Sequence, residues 1–306
     1  MKTIIKIALL LFCSQQLMAQ QEGIVSQYMF NGLFINPAYA GSHEYFSSTL
    51  LFRKQWVGFE GAPESIIASI DGPIQKKNMG IGLILSRDKI GVTTQSDIIA
   101  NYSYKVKLGN GKLALGIKAG ISHYKAALTD LTYWDKEDPI YSGNIQSEII
   151  PRFGGGIYYY QEKWFAGISA PTLIASEKEY NFSTNINNSS NLRKHYYLTG
   201  GYVFNLTDKW KIKPSTLIKY NYAAPIQLDI NANLLYMDKV WVGVSYRTGD
   251  SFIGILEYQA NKKFRIGYSY DFTLSELGDY SSGSHEIMIG YDFGKDLVNI
   301  KTPRFF

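Results

Sequence analysis

The chain has 306 residues, 45% of them hydrophobic and 15% aromatic, with 24 Tyr, 16 Phe and 28 Gly against only 9 Pro. So much apolar surface excludes disorder over most of the length, and the Tyr/Phe/Gly balance favours strands over helices. The formal net charge is +5, with no basic run and no basic helix, so nothing calls for nucleic acid.

Residues 1–19 read MKTIIKIALLLFCSQQLMA, with Lys2 and Lys6 around the start of a short apolar core from Ile4 to Phe12 and Ala19 before Gln20. This is the pattern of a secretory signal peptide. The apolar run is far short of the ~20 residues a membrane helix needs. The one cysteine, Cys13, lies in this leader beside bulky Phe12, which speaks against lipidation there. The mature chain is then expected to have no disulfide, thiolate zinc site or cysteine nucleophile. No later apolar stretch escapes interruption by Gly, Ser, Lys or Asp. If the exported protein spans a membrane, it must do so as a closed β-barrel.

Residues 20–43 form a lead-in with Asn31, Gly32, Asn36, Pro37 and Gly41, too many breakers for one long helix or strand. It is expected either beneath a barrel, in the periplasm, or folded into it as a plug. Asn36-Pro37 and Gly41-Ser42 are turn formers. Tyr28, Phe30, Phe34 and Tyr39 are apolar anchors for packing against the barrel or a partner.

From residue 44 the sequence becomes a series of about ten-residue segments alternating with period two, which makes each a two-faced strand. In 263–272, Phe264, Ile266, Tyr268, Tyr270 and Phe272 oppose Arg265, Gly267, Ser269 and Asp271. About fourteen segments are predicted, at 44–56, 63–73, 78–87, 94–108, 112–125, 150–160, 163–172, 194–205, 209–220, 226–236, 239–248, 251–260, 263–272 and 284–293. Short turns follow the even-numbered segments, as at Asn110-Gly111 and Met237-Asp238. Three connections after odd-numbered segments are long: 126–149, 173–193 and 273–283. That parity, with aromatic residues at segment ends, marks an antiparallel outer-membrane β-barrel. The expected organisation is a signal peptide at 1–19, a lead-in at 20–43, a barrel at 44–293 and a polar tail at 294–306, with both termini periplasmic. On the first strand Arg53 and Gln55 share a face and Trp56 opposes them. A lumenal Arg-Gln pair could then bond an inserted lead-in.

The lead-in carries Ser26-Gln27-Tyr28-Met29-Phe30-Asn31 and Asn36-Pro37-Ala38-Tyr39-Ala40-Gly41-Ser42. Then follow Arg53-Lys54-Gln55-Trp56-Val57-Gly58, Gly61-Ala62-Pro63, Lys213-Pro214-Ser215, Tyr246-Arg247, Ile266-Gly267-Tyr268-Ser269-Tyr270-Asp271 and Gly283-Ser284-His285-Glu286. This series resembles the PorP/SprF family of type IX secretion outer-membrane proteins over essentially the whole mature chain. The resemblance implies a barrel without enzymatic activity or cofactor. It also implies partners among the secretion machinery, or the C-terminal domain of a large secreted adhesin. The runner-up is a porin or small-solute channel.

Other chemistry is poorly supported. His43, His123, His195 and His285 are scattered, with no metal spacing. Asp271, Arg265, His285 and Glu286 read as a buried lumenal charge network. Gly80-Ile81-Gly82 and Gly154-Gly155-Gly156 read as bends or close lumenal approach. Tyr133, Trp134, Tyr141 and Tyr180 are the aromatic candidates for contact on the long loops. The assigned faces predict that Ile266→Arg, on the lipid side, impairs assembly far more than Ser269→Arg, on the lumenal side.

Overall fold

The computed structural model describes residues 25–74, 77–130, 145–146, 149–175, 179–181, 187–189, 194–222 and 224–293. The expected signal peptide and C-terminal tail lie outside them.

Fourteen strands form the wall: β1 Phe46–Lys54, β2 Glu64–Ile74, β3 Met79–Ile90, β4 Thr93–Leu108, β5 Gly111–Ala126, β6 Ile150–Tyr160, β7 Trp164–Ala175, β8 His195–Tyr202, β9 Trp210–Asn221, β10 Ala224–Tyr236, β11 Val240–Arg247, β12 Ser251–Gln259, β13 Phe264–Thr273 and β14 Ser284–Phe293. Each pairs antiparallel with its chain neighbours, and β1 pairs with β14 from Phe46↔Phe293 to Lys54↔His285. The ring is therefore closed. Short strands at 145–146 and 204–205 extend its rims, and 179–181 pairs with 187–189 as a separate hairpin.

The alternation fixes the two faces. On β11, Val240, Val242, Val244 and Tyr246 face outward while Trp241, Gly243, Ser245 and Arg247 face the lumen. Large apolar side chains are exposed all around the outside, as Ile117, Val244 and Ile230 are, while Arg53, Asp229, Arg247 and Glu286 are buried inside. This inversion of a soluble core suits a bilayer, where every strand must hydrogen-bond a neighbour and the outer face meets acyl chains. Aromatic pairs rim the short-turn end: Trp210 and Tyr236 have ring centroids 4.4 Å apart, as do Tyr202 and Phe204. At the opposite end stand Tyr196 with Tyr220 and Tyr246 with Phe252. No described helix is long and apolar enough to cross a membrane; the strands do so.

Two expectations need correction. β1 ends at Lys54, so Gln55 and Trp56 do not share its faces. The chain turns out of the strand there: Trp56 has a φ of 43°, and Gly58 and Gly61 also have positive φ. Gln55 N–H donates to Pro63 O at 2.9 Å, and Trp56 N–H to Ser284 Oγ at 3.1 Å. Ser269 does face inward, but it has no exposed surface. An arginine there would overpack a filled lumen. Ser269→Arg is thus no tolerant control, and Ile266 lies near the rim end of β13. The lipid-face test belongs at Val244, mid-strand on β11 and 63% exposed. Val244→Arg should cost about 2–4 kcal/mol of stability, and Ile266→Arg less. Urea-dependent folding into lipid vesicles measures both.

Candidate functional site

Residues 25–43 run through the lumen. Their breakers divide them into three 3₁₀ turns, at Tyr28–Phe30, Gly32–Phe34 and Pro37–Tyr39. The Asn31 side chain accepts from Leu33 N–H at 3.2 Å. Asn36 accepts from Ala38 N–H at 2.9 Å, with Pro37 opening the turn. Gly41, at φ 60°, turns the chain toward β1. Such tight local bonding suits a segment with no strand of its own to pair with.

At its start, the segment meets a buried ion cluster. Arg53 on β1 bonds Asp271 on β13 at 2.8 Å and Glu286 on β14 at 3.3 Å. The Glu286 carboxylate also accepts the backbone N–H groups of Ser26 and Gln27, at 2.9 and 2.8 Å. Ser26 Oγ donates to Asp271 at 2.7 Å and accepts from Arg53 at 3.0 Å. Ser26 therefore stands level with the next-to-last residue of β1, near the long-loop end. The described chain begins inside the barrel, at buried Val25, and not beneath it in the periplasm. A polar lumen demands polar partners, and this segment's backbone supplies them.

Farther along, Asn231 donates to Tyr28 OH at 2.8 Å, and Lys213 Nζ to Met29 O at 3.1 Å. Burial, and then the charge of Asp229, push the Tyr28 phenol well above its ordinary pKa. Phe30 packs against Trp241 with ring centroids 5.9 Å apart. Asn31 Nδ2 donates to Ser69 Oγ at 2.7 Å, and Asn36 Nδ2 to Ile157 O at 3.0 Å. Tyr39 meets Tyr158 edge-on at 5.7 Å, and burial, then Asp71, push its phenol up as well. At the short-turn end Gly41 N–H donates to Asp71 at 2.8 Å, His43 Nε2 lies 3.1 Å from the same carboxylate, and Lys105 Nζ donates to Gly41 O.

The wall yields to this segment through glycine. A Cβ on Gly80 would strike Ala40 O, one on Gly116 would strike Ala38 N, and one on Gly156 would strike Asn36 Oδ1. Gly80 and Gly156 belong to the glycine runs read as bends or close lumenal approach; Gly116 escaped notice. Between the segment and β6–β9 a void of about 20 Å³ remains, lined by residues such as Tyr28, Asn36, Tyr39 and Tyr158. The lumen is plugged there.

The structure thus brings Tyr28, Phe30, Asn31, Asn36, Pro37, Tyr39, Gly41 and Arg53 into one plug assembly. Tyr28, Asn31, Asn36, Pro37, Tyr39, Gly41 and Arg53 are buried there, and Phe30 is half-buried against Trp241. As seated, they offer little surface to a partner. Gln55 and Trp56 stand outside the assembly. Tyr133, Trp134 and Tyr141 lie outside the described residues, and Tyr180 is placed in the 179–181 hairpin strand by its backbone. The expected network of Asp271, Arg265, His285 and Glu286 divides. Asp271 and Glu286 hold Arg53, Arg265 pairs with Asp292 at 2.9 Å, and His285 faces outward to Tyr268 OH at 2.6 Å. Sequence reasoning missed Asp229, which engages Arg247 at 3.2 Å and Lys219 at 3.3 Å, and the Arg152–Asp97 pair at 3.1 Å. Their signal was a charge at a lumen-facing parity position. Among the described residues no three His, Cys, Asp or Glu gather as a metal-ligand set.

Where the segment meets β1, a cavity of about 480 Å³ opens at the short-turn end. Glu44, Lys105, Lys107, Lys112, Tyr160 and Glu162 line it.

The sequence profile described as "Type IX secretion system membrane protein PorP/SprF" matches residues 17–291. The chain belongs to the PorP/SprF family. Its role therefore lies in type IX secretion at the outer membrane. No match was found among curated proteins. Among solved structures, the Acinetobacter baumannii outer membrane protein Omp33 is similar at 9% identity, covering 83% of this chain and 99% of its own, with a TM-score of 0.45. The Ralstonia pickettii toluene transporter TbuX is similar at 9% identity, covering 88% and 93%, with a TM-score of 0.48.

Two substitutions test the plug assembly of this PorP/SprF protein. Arg53→Ala leaves Glu286 buried without its cation and Asp271 with only Arg247, at 3.9 Å, and should cost about 3–5 kcal/mol, read from denaturant midpoints. Gly116→Val should unseat residues 36–40 without breaking a strand bond. A cysteine at Ala38 should then react with a bulky maleimide in the Gly116→Val background and stay protected with Gly116 intact.

Proposed function

We propose that this chain is a non-enzymatic docking subunit of the type IX machinery, beside a separate pore that passes the cargo. The observation that carries this reading is the filled lumen. A segment tied at one end to Arg53, Asp271 and Glu286 and at the other to Asp71 leaves no passage for a protein domain. The same plug weighs against the porin alternative.

A rigid wall with a filled interior interacts through its ends. The long-loop end, with Tyr133, Trp134, Tyr141 and Tyr180, is the proposed contact for the C-terminal domain of a secreted adhesin. The short-turn end suits periplasmic machinery, with its charged cavity around Lys107, Lys112 and Glu162. A chain arriving there meets the barrel where the plug passes into β1. The signal peptide at 1–19 belongs to this reading, since an outer-membrane barrel must first be exported.

Deleting the gene should remove one or more type IX substrates from the cell surface while other outer-membrane proteins stay in place. Normal display of every substrate would sink the docking reading. Lys107→Glu with Lys112→Glu should lose a co-purifying periplasmic partner, and alanine at Tyr133, Trp134 and Tyr141 should lose cargo. In planar bilayers the purified wild-type protein should give no steady current; a stable open-pore conductance would restore the porin reading.

A further inference from the structure

The outer face of the barrel is unevenly charged. On β8–β14 the outward strand positions carry no Lys, Arg, Asp or Glu. At the long-loop rim this side presents rings such as Tyr196, Tyr220, Tyr246 and Phe252. On β3–β5 the corresponding height holds cations. Arg87, Ser96 and His123 lie abreast in register, and so do Lys89, Thr94 and Lys125 one row nearer the rim. With strands ~4.8 Å apart, each row spans about 10 Å. These six side chains line a cleft of about 460 Å³ whose lining holds no acid. Among the described residues none of the four basic groups has a carboxylate within salt-bridge distance. The acid nearest in register, Glu64 opposite Lys89, is bonded to Lys54 at 2.8 Å.

The cleft sits where the apolar belt ends. Arg87 follows outward Leu85 on β3, Ser96 precedes outward Ile98 on β4, and His123 follows outward Ile121 on β5. Two outward rows below Arg87, Ala100 and Ala119 are paired neighbours on the outer face, with Leu83 on one side and Phe153 on the other. Two small residues between two large ones leave a shallow apolar dip, one row of large side chains (Leu85, Ile98 and Ile121) below the cations. Three permanent positive charges and an imidazole at the edge of the apolar belt attract the anionic headgroups that lie at that depth.

We infer that this cleft binds the phosphorylated headgroup of a glycolipid in the outer leaflet, with its acyl chains against the apolar wall below. Arg87 and Lys125 approach a phosphate from opposite sides, and the guanidinium is suited to two-point contact. Thr94 and Ser96 offer hydroxyls between them for phosphate or sugar oxygens. The cleft is far larger than one phosphate and open on its lipid side, which favours a headgroup that continues into acyl chains. The site would fix the barrel's rotation relative to its lipid neighbours and hold one lipid against the β3–β5 wall.

The test compares full-length wild-type protein, delipidated in detergent, with the Arg87→Gln, Lys89→Gln, Lys125→Gln triple variant. The probe is fluorescent phosphorylated lipid A, followed by anisotropy, with its dephosphorylated form in parallel. The wild type should bind the phosphorylated form at least ten-fold more tightly than either the triple variant binds it or the wild type binds the dephosphorylated form. A Lys209→Gln, Lys239→Gln, Lys263→Gln protein loses the same charge at the short-turn end and should bind like the wild type. Heat-modifiable gel migration shows which variants are folded. Should the triple variant fail to fold, Lys89→Gln and Lys125→Gln singly should each weaken binding by several-fold. Equal affinity of wild type and variants would overturn the site, as would equal affinity for the two lipids or equal weakening in the short-turn control. Displacement of the lipid by millimolar inorganic phosphate would make the cleft a free-anion site and overturn the lipid assignment.

Discussion

Arg53 joins three things that must be right together. It sits on the first strand and pairs in register with Glu286 on the last, so it spans the seam that closes the barrel. It also holds Asp271 on the strand beyond, and shares both carboxylates with Ser26 of the plug. The Coulombic gain of such a buried cluster is offset by desolvation, so it is weak evidence for stability in itself. What it supplies is mutual dependence. A seam shifted by one residue turns Glu286 out of the lumen and leaves both Arg53 and the Ser26 and Gln27 N–H groups without their acceptor. The sequence separation between Ser26 and Glu286 makes this the last contact expected to form, since long loops must close before it rewards them.

The rest of the lumen follows the same logic at lower charge. A barrel of this size must fill its interior with water, loops or side chains. Here the filling is a segment rich in turns, whose backbone groups meet Ser103, Lys213, Ser169 and Asp71. Glycine on the wall sets how near that backbone comes, and the aromatic rings of Tyr28, Phe30 and Tyr39 occupy what the backbone leaves. Alternating small and polar positions on the inner face are thus the mould of the plug.

Much of the wall was legible because one physical rule, side chains alternating across a strand between lipid and lumen, writes itself into every strand. The pattern Phe264, Ile266, Tyr268, Tyr270, Phe272 needs no neighbour to be read, and loop parity orders the strands. The plug was half legible: Asn36-Pro37 and Gly41 announced turns, but nothing in 20–43 states whether those turns lie in or under the barrel. That is decided by charges on remote strands, and Glu286, Asp271 and Asp71 are joined to it only by register. The failed extension of β1 to Trp56 has a local cause. Alternation continued past the point where Gly58 and Gly61 take the chain into positive φ. Ser269 failed differently, because parity says which way a side chain points and not how much room it finds.

Filling the lumen changes what the remaining surfaces are free to do. An empty barrel can breathe and pass solute, so its lining is its function. A barrel whose lining is committed to an internal ligand has its wall fixed by that ligand, and what it presents to others is its two ends and its belt. The ends differ in chemistry: the short-turn end has a charged cavity beside Lys107 and Glu162, and the other has the long connections. The belt differs too, with cations on β3–β5 and bare aromatic rings on β8–β13. On the lipid reading of the β3–β5 cleft, this asymmetry gives the subunit one preferred rotational setting among its neighbours. A docking protein needs such a setting, since a partner bound at each end must meet the other in a defined orientation, and a solute channel does not.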